Sequence, residues 1–204
     1  MRTGTGAVSL VVGISGKIGV GKDEIAKRLV AAWGFTVSRF SEDLKLEVLR
    51  VFSKTVRAIA AEFWGKPTDR VTPAEMRDLV YNRKPPIIRA LLQEHGTELR
   101  RAEDADYWLK RWHARVDGLL TDGVRRIVAP DVRFANEAQA ILAMGGSLVN
   151  VSRPGHWEDG HASEAGLPAD LPLLASIENG GSLEALHLVT DAVAKALIGA
   201  RDDG

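Results

Sequence analysis

The segment from Val8 to Leu29 constrains this chain more than any other. An apolar, β-branched run with Val8, Leu10, Val11, Val12 and Ile14 leads into Gly16-Lys17-Ile18-Gly19-Val20-Gly21-Lys22, and a pattern with Ile25, Leu29 and Trp33 on one helical face follows directly. Strand, glycine loop and helix in that order make a phosphate cradle. The glycines let a tight loop turn its backbone N–H groups inward, the helix N-terminus adds positive potential, and Lys22 reaches the outer phosphates of a nucleotide. The spacing G-x-x-x-x-G-K alone arises by chance in about one chain in twenty of this length, so the flanking strand and helix carry the reading. The position after Lys22, ordinarily Ser or Thr, is Asp23, and Glu24 follows. Asp23 either ligates Mg²⁺ through water or serves the helix N-terminus, where acidic residues are favoured.

With 204 residues and 45% hydrophobic content, the chain is expected to form one domain, residues 1–204, with a full core. Lys plus Arg and Asp plus Glu both number 27, so no global field draws it to nucleic acid or to a membrane. Anion binding has to be local. Cysteine is absent, which excludes disulfides and thiolate metal sites and fits a cytoplasmic protein. The first apolar run is too short to span a bilayer and flows straight into the glycine loop, so it reads as a core strand and not as a signal.

Further along, strands alternate with helices, which predicts a layered α/β fold on a mostly parallel sheet. Phe35–Phe40 reads as a short strand and Glu42–Glu62 as one helix, striped by Leu44, Val48, Phe52, Val56 and Ile59. After a loop over Phe63–Thr72, Thr72 and Pro73 give an N-cap and first helical position for a short helix over Thr72–Tyr81. Ile87–Arg101 places Ile88, Leu91, Leu92, His95 and Leu99 on one helical face and Arg89, Gln93, Thr97 and Arg100 opposite, which by itself reads as a solvated face. A helix over Ala105–Leu120 carries Trp108 and Trp112 one turn apart as core residues.

Arg126–Pro130 reads as a buried strand with the polar cluster Asp131–Glu137 at its C-terminal end, the edge where open α/β sheets bind ligands. There Asp131 can orient Mg²⁺ or its waters and Arg133 can meet a phosphate. Asp131 can equally cap the next helix and Arg133 pair with Glu137, and both readings can hold together. After a strand over Ser147–Ser152, Arg153-Pro154-Gly155 opens an irregular stretch to about Pro172, long enough to serve as a lid. His156, Asp159, His161 and Glu164 lie in it without the compact spacing of a metal site, so a hydrogen-bonded lid suits them better. Leu173–Ile177 is the expected last strand. Ser182–Leu197 is a closing helix with Leu183, Leu186, Val189, Val193 and Leu197 inward, and Gly199–Gly204 a frayed tail.

Several blocks follow one another in order along the chain. They are GKIGVGKDEIA at Gly16–Ala26, RFSEDLKLEV at Arg39–Val48, RALLQEHGTELRR at Arg89–Arg101, DYWLKRW at Asp106–Trp112 and APDVRFANEAQAI at Ala129–Ile141. VSRPG at Val151–Gly155, HASE at His161–Glu164 and NGGSLEAL at Asn179–Leu186 complete the series. Together they resemble the deoxynucleoside monophosphate kinases of bacteriophages, a P-loop kinase family in which GKD replaces GK[ST].

The resemblance implies a three-layer P-loop kinase fold, with a helical acceptor-binding region over about residues 42–120 and a lid over about 153–172. It implies transfer of the γ-phosphoryl group of ATP to the 5′-phosphate of a deoxynucleoside monophosphate, with Mg²⁺ as cofactor. Small-molecule nucleotides are the partners, with no role for nucleic acid or membrane; a homodimer is the assembly, and the cytoplasm, a host's if the chain is phage-encoded, the location. Gly16, Lys17, Ile18, Gly19, Val20, Gly21, Lys22, Asp23 and Glu24 would surround ATP. Lys22, Asp131, Arg133 and Arg153 would act on the transferring group, and Asp23 and Asp131 would hold Mg²⁺, partly through water. Lys45, Arg89, Gln93, Thr97, Glu98, Arg101, Arg133 and Asn136 would hold the deoxynucleotide, turning the polar stripe of Arg89, Gln93 and Thr97 into an acceptor-site wall. The chain departs from the family pattern at Glu24, where Thr is common, and at Pro130, where a small polar residue is usual. Two other readings stay open: a kinase for a different phosphorylated small molecule, such as phosphomevalonate, and a nucleotide-binding module without transfer chemistry.

Overall fold

The computed structural model describes residues 9–155 and 166–202. His156, Asp159, His161 and Glu164, and with them the middle of the expected lid, lie outside the described residues. In chain order the elements are β1 (Leu10–Ser15), α1 (Lys22–Trp33), β2 (Thr36–Val37), α2 (Glu42–Val51), α3 (Ser53–Trp64), α4 (Pro73–Asp78) and α5 (Pro86–Gln93). They continue with α6 (Arg101–Glu103), α7 (Tyr107–Thr121), β3 (Arg126–Val132), α8 (Ala135–Ala143), β4 (Ser147–Ser152), β5 (Ala175–Glu178) and α9 (Leu183–Asp202). Two compact units result: the described residues up to Phe40 with those from Trp112 onward, and Ser41–Arg111. No helix among the described residues is long and apolar enough to cross a membrane.

The first unit is built on a parallel sheet in the order β2-β3-β1-β4-β5. Its middle strand, β1, is covered on both faces, which is why it reads as a nearly continuous apolar run. On one face Val12 and Ile14 share a core with Ile25, Ala26 and Leu29 of α1 and with Leu186, Ala194 and Leu197 of α9. On the other, Gly13 leaves the space that Ile141 of α8 fills, since a Cβ there would lie 2.5 Å from Ile141 Cδ1. Helix, sheet and helix are thus the three expected layers. Arg28 forks onto Asp191 at 2.9 and 2.6 Å, and Trp33 Nε1 donates to the same carboxylate at 2.8 Å, tying α1 to α9. These bonds, Arg28 foremost, hold the Asp191 carboxyl well below the usual range.

Four expectations for this unit are corrected. The strand at Phe35–Phe40 shrinks to Thr36–Val37, because side chains from outside the ladder take the backbone groups of the next three residues. The last strand starts at Ala175, two residues later than expected. In α9, Leu183 and Val189 are 49% and 44% exposed, and the inward stripe runs through Leu186, Thr190, Ala194 and Leu197. Thr190 can join it because its hydroxyl donates to the Leu186 carbonyl at 2.7 Å. The helix also continues past the expected fray point to Asp202.

Pro130 finds its explanation here. Gly13 pairs with Ala129 but Ser15 with Val132, so two residues of β1 oppose three of β3. The extra residue is a bulge, where a residue without an N–H breaks no ladder bond and the following side chain is re-aimed.

In the second unit, the expected helix over Glu42–Glu62 divides at Phe52, whose φ of −102° and ψ of 27° are not helical. Val51, Phe52 and Ser53 are three weak helix formers in succession, and the break lets Val48, Val56 and Ala60 share one core with Leu79, Val80 and Ile88. The start of α4 follows its sequence signal. Thr72 Oγ1 accepts from Glu75 N at 3.2 Å and the Glu75 carboxylate accepts from Thr72 N at 2.9 Å. Lys66 and then Thr72 draw the Glu75 carboxyl down to about 2. The chain winds as π-helix over Leu79–Arg83 and again over Glu94–Arg100. The wider second stretch shifts the helical phase: His95 stays buried, but Leu99, expected on the same face, is 46% exposed.

Candidate functional site

The glycine loop leaves the C-terminal end of β1 and re-enters helix at Lys22. Gly16 has φ +134°, and a Cβ on it would stand 2.1 Å from the Val151 carbonyl oxygen, so the loop can leave the sheet here only without a side chain. Val20 is buried in the core, and its carbonyl accepts from Asn179 Nδ2 at 2.9 Å, which fixes the loop to the turn before α9. Lys22 Nζ donates to the carbonyls of Gly16 and Lys17, the latter at 2.5 Å, so its ammonium sits inside its own loop. Gly16→Ala is expected to cost about 1–3 kcal/mol from backbone strain alone and to weaken ATP binding. Denaturant unfolding run beside an ATP titration checks both effects.

A cleft of about 410 Å³ opens over this loop. Gly16, Lys17 and Val20 form part of it, Arg133 after β3 and Arg153 after β4 border it, and Leu167, Pro168 and Leu173 make an apolar wall. Ser15 and Asn150 lie at its floor, with Ser15 Oγ donating to Asn150 Oδ1 at 3.0 Å. Two arginines expected to act on the transferring group therefore converge on the loop. Asn136 stands in the first turn of α8, where its Oδ1 accepts from Glu137 N at 3.1 Å.

The start of α8 excludes one reading of Asp131, that it caps this helix. Glu137, buried, accepts from the backbone N–H groups of Arg133 and Phe134 at 2.9 and 3.2 Å. The cap residue is Phe134, so Asp131 does not cap this helix. Asp131 Oδ1 accepts instead from Phe40 N at 3.0 Å, and Asp131 precedes the residue paired with Ser15, beside the root of the loop. Asp23 is not a cap either: α1 begins after Gly21, and Asp23 Oδ1 accepts from Arg39 Nη2 at 2.7 Å. Glu24 pairs with Lys27 at 2.6 Å on the surface.

Among the described residues no three His, Cys, Asp or Glu side chains converge. A divalent ion here would have one or two carboxylates, a donor set that suits Mg²⁺, which fills its other positions with phosphate oxygens and water. Asp131 fits such a role by its place beside the loop. Asp23 fits it poorly, because its carboxylate is engaged by a guanidinium.

Lys45, Arg89, Gln93, Thr97, Glu98 and Arg101 belong to the second unit. Lys45 is buried, with Nζ 5.1 Å from the Tyr81 ring centre, and Arg89 is exposed, donating to the Lys84 carbonyl at 2.9 Å. Gln93, Thr97 and Arg101 are half-buried and Glu98 is exposed. The sequence reading missed Glu47 in this unit. Its buried carboxylate accepts from Arg100 Nε at 2.8 Å and Tyr107 Oη at 2.9 Å, and meets His95 Nε2 at 2.9 Å. Burial pushes its acidity the other way, but the bonds from Tyr107, His95 and Arg100 outweigh it and hold the carboxyl below its ordinary value. A glutamate in a helical stripe next to Val48 was the available signal. Asn150, polar within a buried strand, was a second one.

Residues 65–189 match the family model described as deoxynucleotide monophosphate kinase. The deoxynucleotide monophosphate kinase of Enterobacteria phage T4 is 38% identical over 102 residues, 48% of this chain and 42% of the relative. That of Escherichia phage RB69 is 34% identical over 102 residues, 49% of this chain and 41% of the relative. A putative deoxynucleotide monophosphate kinase of Acanthamoeba polyphaga mimivirus is 29% identical over 169 residues, 78% of this chain and 82% of the relative. The chain thus spans about two fifths of the two phage relatives it matches and about four fifths of the mimivirus one. The family match begins beyond the glycine loop, so the loop and the matched segment are separate parts of the chain pointing the same way. More than half of the residues lie in that match, and the chain belongs to the deoxynucleotide monophosphate kinase family.

Proposed function

We propose that this protein transfers the γ-phosphoryl group of ATP to the 5′-phosphate of a deoxynucleoside monophosphate, giving the diphosphate and ADP. The observation that carries the proposal is the single cleft in which the glycine loop, Arg133 and Arg153 meet, in a chain of this family. An acceptor phosphate oxygen attacks the γ-phosphorus, the bond from that phosphorus to the β,γ-bridging oxygen breaks, and the electron pair leaves with ADP. The acceptor is already largely dianionic at neutral pH, so no side chain has to remove a proton. What the protein supplies is position and positive charge. The N–H groups of the loop and Lys22 hold the donor phosphates, and Arg133 and Arg153 supply forked donors that match phosphoryl oxygens. Mg²⁺, when bound, would neutralise charge on the donor phosphates, and Asp131 would orient it or its waters.

The assignment of Lys45, Arg89, Gln93, Thr97, Glu98, Arg101 and Asn136 to the deoxynucleotide rests on the family resemblance and forms part of the proposal. So do a homodimer and a cytoplasmic location. The test is ADP release with Mg-ATP and each common deoxynucleoside monophosphate in turn, beside a control without acceptor and one with phosphomevalonate. Stimulation by at least one deoxynucleotide is the expected result. Turnover with phosphomevalonate alone, or none in a protein that binds ATP, overturns the proposal.

A further inference from the structure

The three residues after β2 are fastened by side chains. Ser38 N donates to the Val128 carbonyl at 2.9 Å, and the Ser38 carbonyl accepts from Trp112 Nε1 at 3.0 Å. The Arg39 carbonyl accepts from Arg115 Nη2, and Phe40 N donates to Asp131 Oδ1 at 3.0 Å. The Phe40 ring stacks on Trp112 with centres 4.4 Å apart. The Cα of Arg39 is therefore fixed, and only its side chain has freedom. That side chain ends at Asp23, next to Lys22 at the exit of the glycine loop, with Nη2 2.7 Å from Asp23 Oδ1.

The pair is asymmetric. The acid is the exposed member, with 67% of its side chain open, while the arginine side chain is 29% open. So exposed a pair contributes little to stability, and stability is a poor account of why a carboxylate stands where a neutral hydroxyl is usual. An unpaired carboxylate beside bound phosphates would repel them. Paired with Arg39 it adds no net charge, and it holds the guanidinium by one nitrogen. Nε and Nη1 of Arg39 make no hydrogen bond to the described residues, which leaves part of the planar fork able to receive phosphoryl oxygens.

We propose that Asp23 anchors Arg39 instead of ligating the metal ion, and that Arg39 presents the rest of its guanidinium to a nucleotide phosphate at the mouth of the loop. This rests on the phosphate-binding reading of the loop given above. Asp23 is then a positioning residue, and Arg39 is the group that touches substrate.

The test combines metal-free binding with kinetics. ATP and deoxynucleotide affinities are each measured by calorimetry in EDTA for the wild type, Arg39→Ala, Arg39→Lys and Asp23→Asn, with thermal unfolding as the check on folding. Arg39→Ala is expected to weaken metal-free ATP or deoxynucleotide binding by about ten- to a hundredfold, the loss of a hydrogen bond to a charged partner. Arg39→Lys recovers part of it, and Asp23→Asn weakens binding in the same direction. In turnover, the Mg²⁺ concentration for half-maximal rate stays unchanged in Asp23→Asn, and the double variant is no worse than Arg39→Ala. If Asp23 held the ion, Asp23→Asn would leave metal-free affinity unchanged or tighter and raise the Mg²⁺ requirement, and that result overturns the inference. So does an Arg39→Ala variant with wild-type affinity for both nucleotides. A wild type that turns over no deoxynucleotide, yet binds ATP with this dependence on Arg39, would remove the reaction and leave this assignment standing.

Discussion

Replacing Lys22 with alanine is expected to lower turnover about a thousandfold while leaving the fold intact. The magnitude is that of a preorganised charge removed from the transition state of phosphoryl transfer, where positioning and charge stabilisation are most of what the protein provides. The fold should survive because the bonds made by Nζ run to the carbonyls of Gly16 and Lys17 within the loop, and no core contact depends on them. The loop keeps its other supports in the buried Val20 side chain and the bond from Asn179. Arg133→Ala should behave similarly in kcat, since the start of α8 is held through the Arg133 backbone N–H and Glu137 and that bond remains. Single-turnover rates and thermal midpoints of both variants decide the matter. A parallel loss of midpoint and rate would make Lys22 a structural residue and remove it from the chemistry.

What the sequence disclosed and what it hid divide along a physical line. Local signals were enough where one stretch of chain sets its own geometry. The loop follows from Gly16, Gly19 and Gly21, each of which has positive φ, and the start of α4 from Thr72 and Glu75. Sheet order was not local. That β3 lies between β2 and β1, and so brings Arg133 to the loop, depends on crossovers that no window of sequence records. Phase errors arose where winding departs from the α-helix: the π stretch at Glu94–Arg100 moved Leu99 outward, and the break at Phe52 divided a helix that periodicity had joined. Pairings distant in sequence stayed hidden for the same reason. Arg39 and Asp23 are sixteen residues apart, and Glu47 meets His95, Arg100 and Tyr107 across 48 to 60 residues.

Glu47→Ala is expected to destabilise the Ser41–Arg111 unit by about 3–5 kcal/mol, the cost of removing one partner from a buried charged network. The truncation takes the shared acceptor from the Tyr107 hydroxyl, from Arg100 Nε and from His95 Nε2 together, and His95 is 3% exposed with its Nδ1 already lacking a hydrogen-bond partner. Glu47→Gln keeps the shape and an acceptor but no charge, and should lose less. The two variants also fix the pH dependence. Because the folded carboxyl of Glu47 is held below its unfolded value, the charged form stabilises the native state in full above the ordinary carboxylate range, and that contribution is lost as pH falls through the lowered folded value. The stability gap between wild type and Glu47→Gln should therefore be constant around neutrality and close on acidification. Urea unfolding followed by tryptophan fluorescence reads this out, since Trp108, whose Nε1 donates to the Gly96 carbonyl at 2.9 Å, belongs to the same unit. A gap that persists undiminished in acid would mean that shape, and not the charge of Glu47, organises this network.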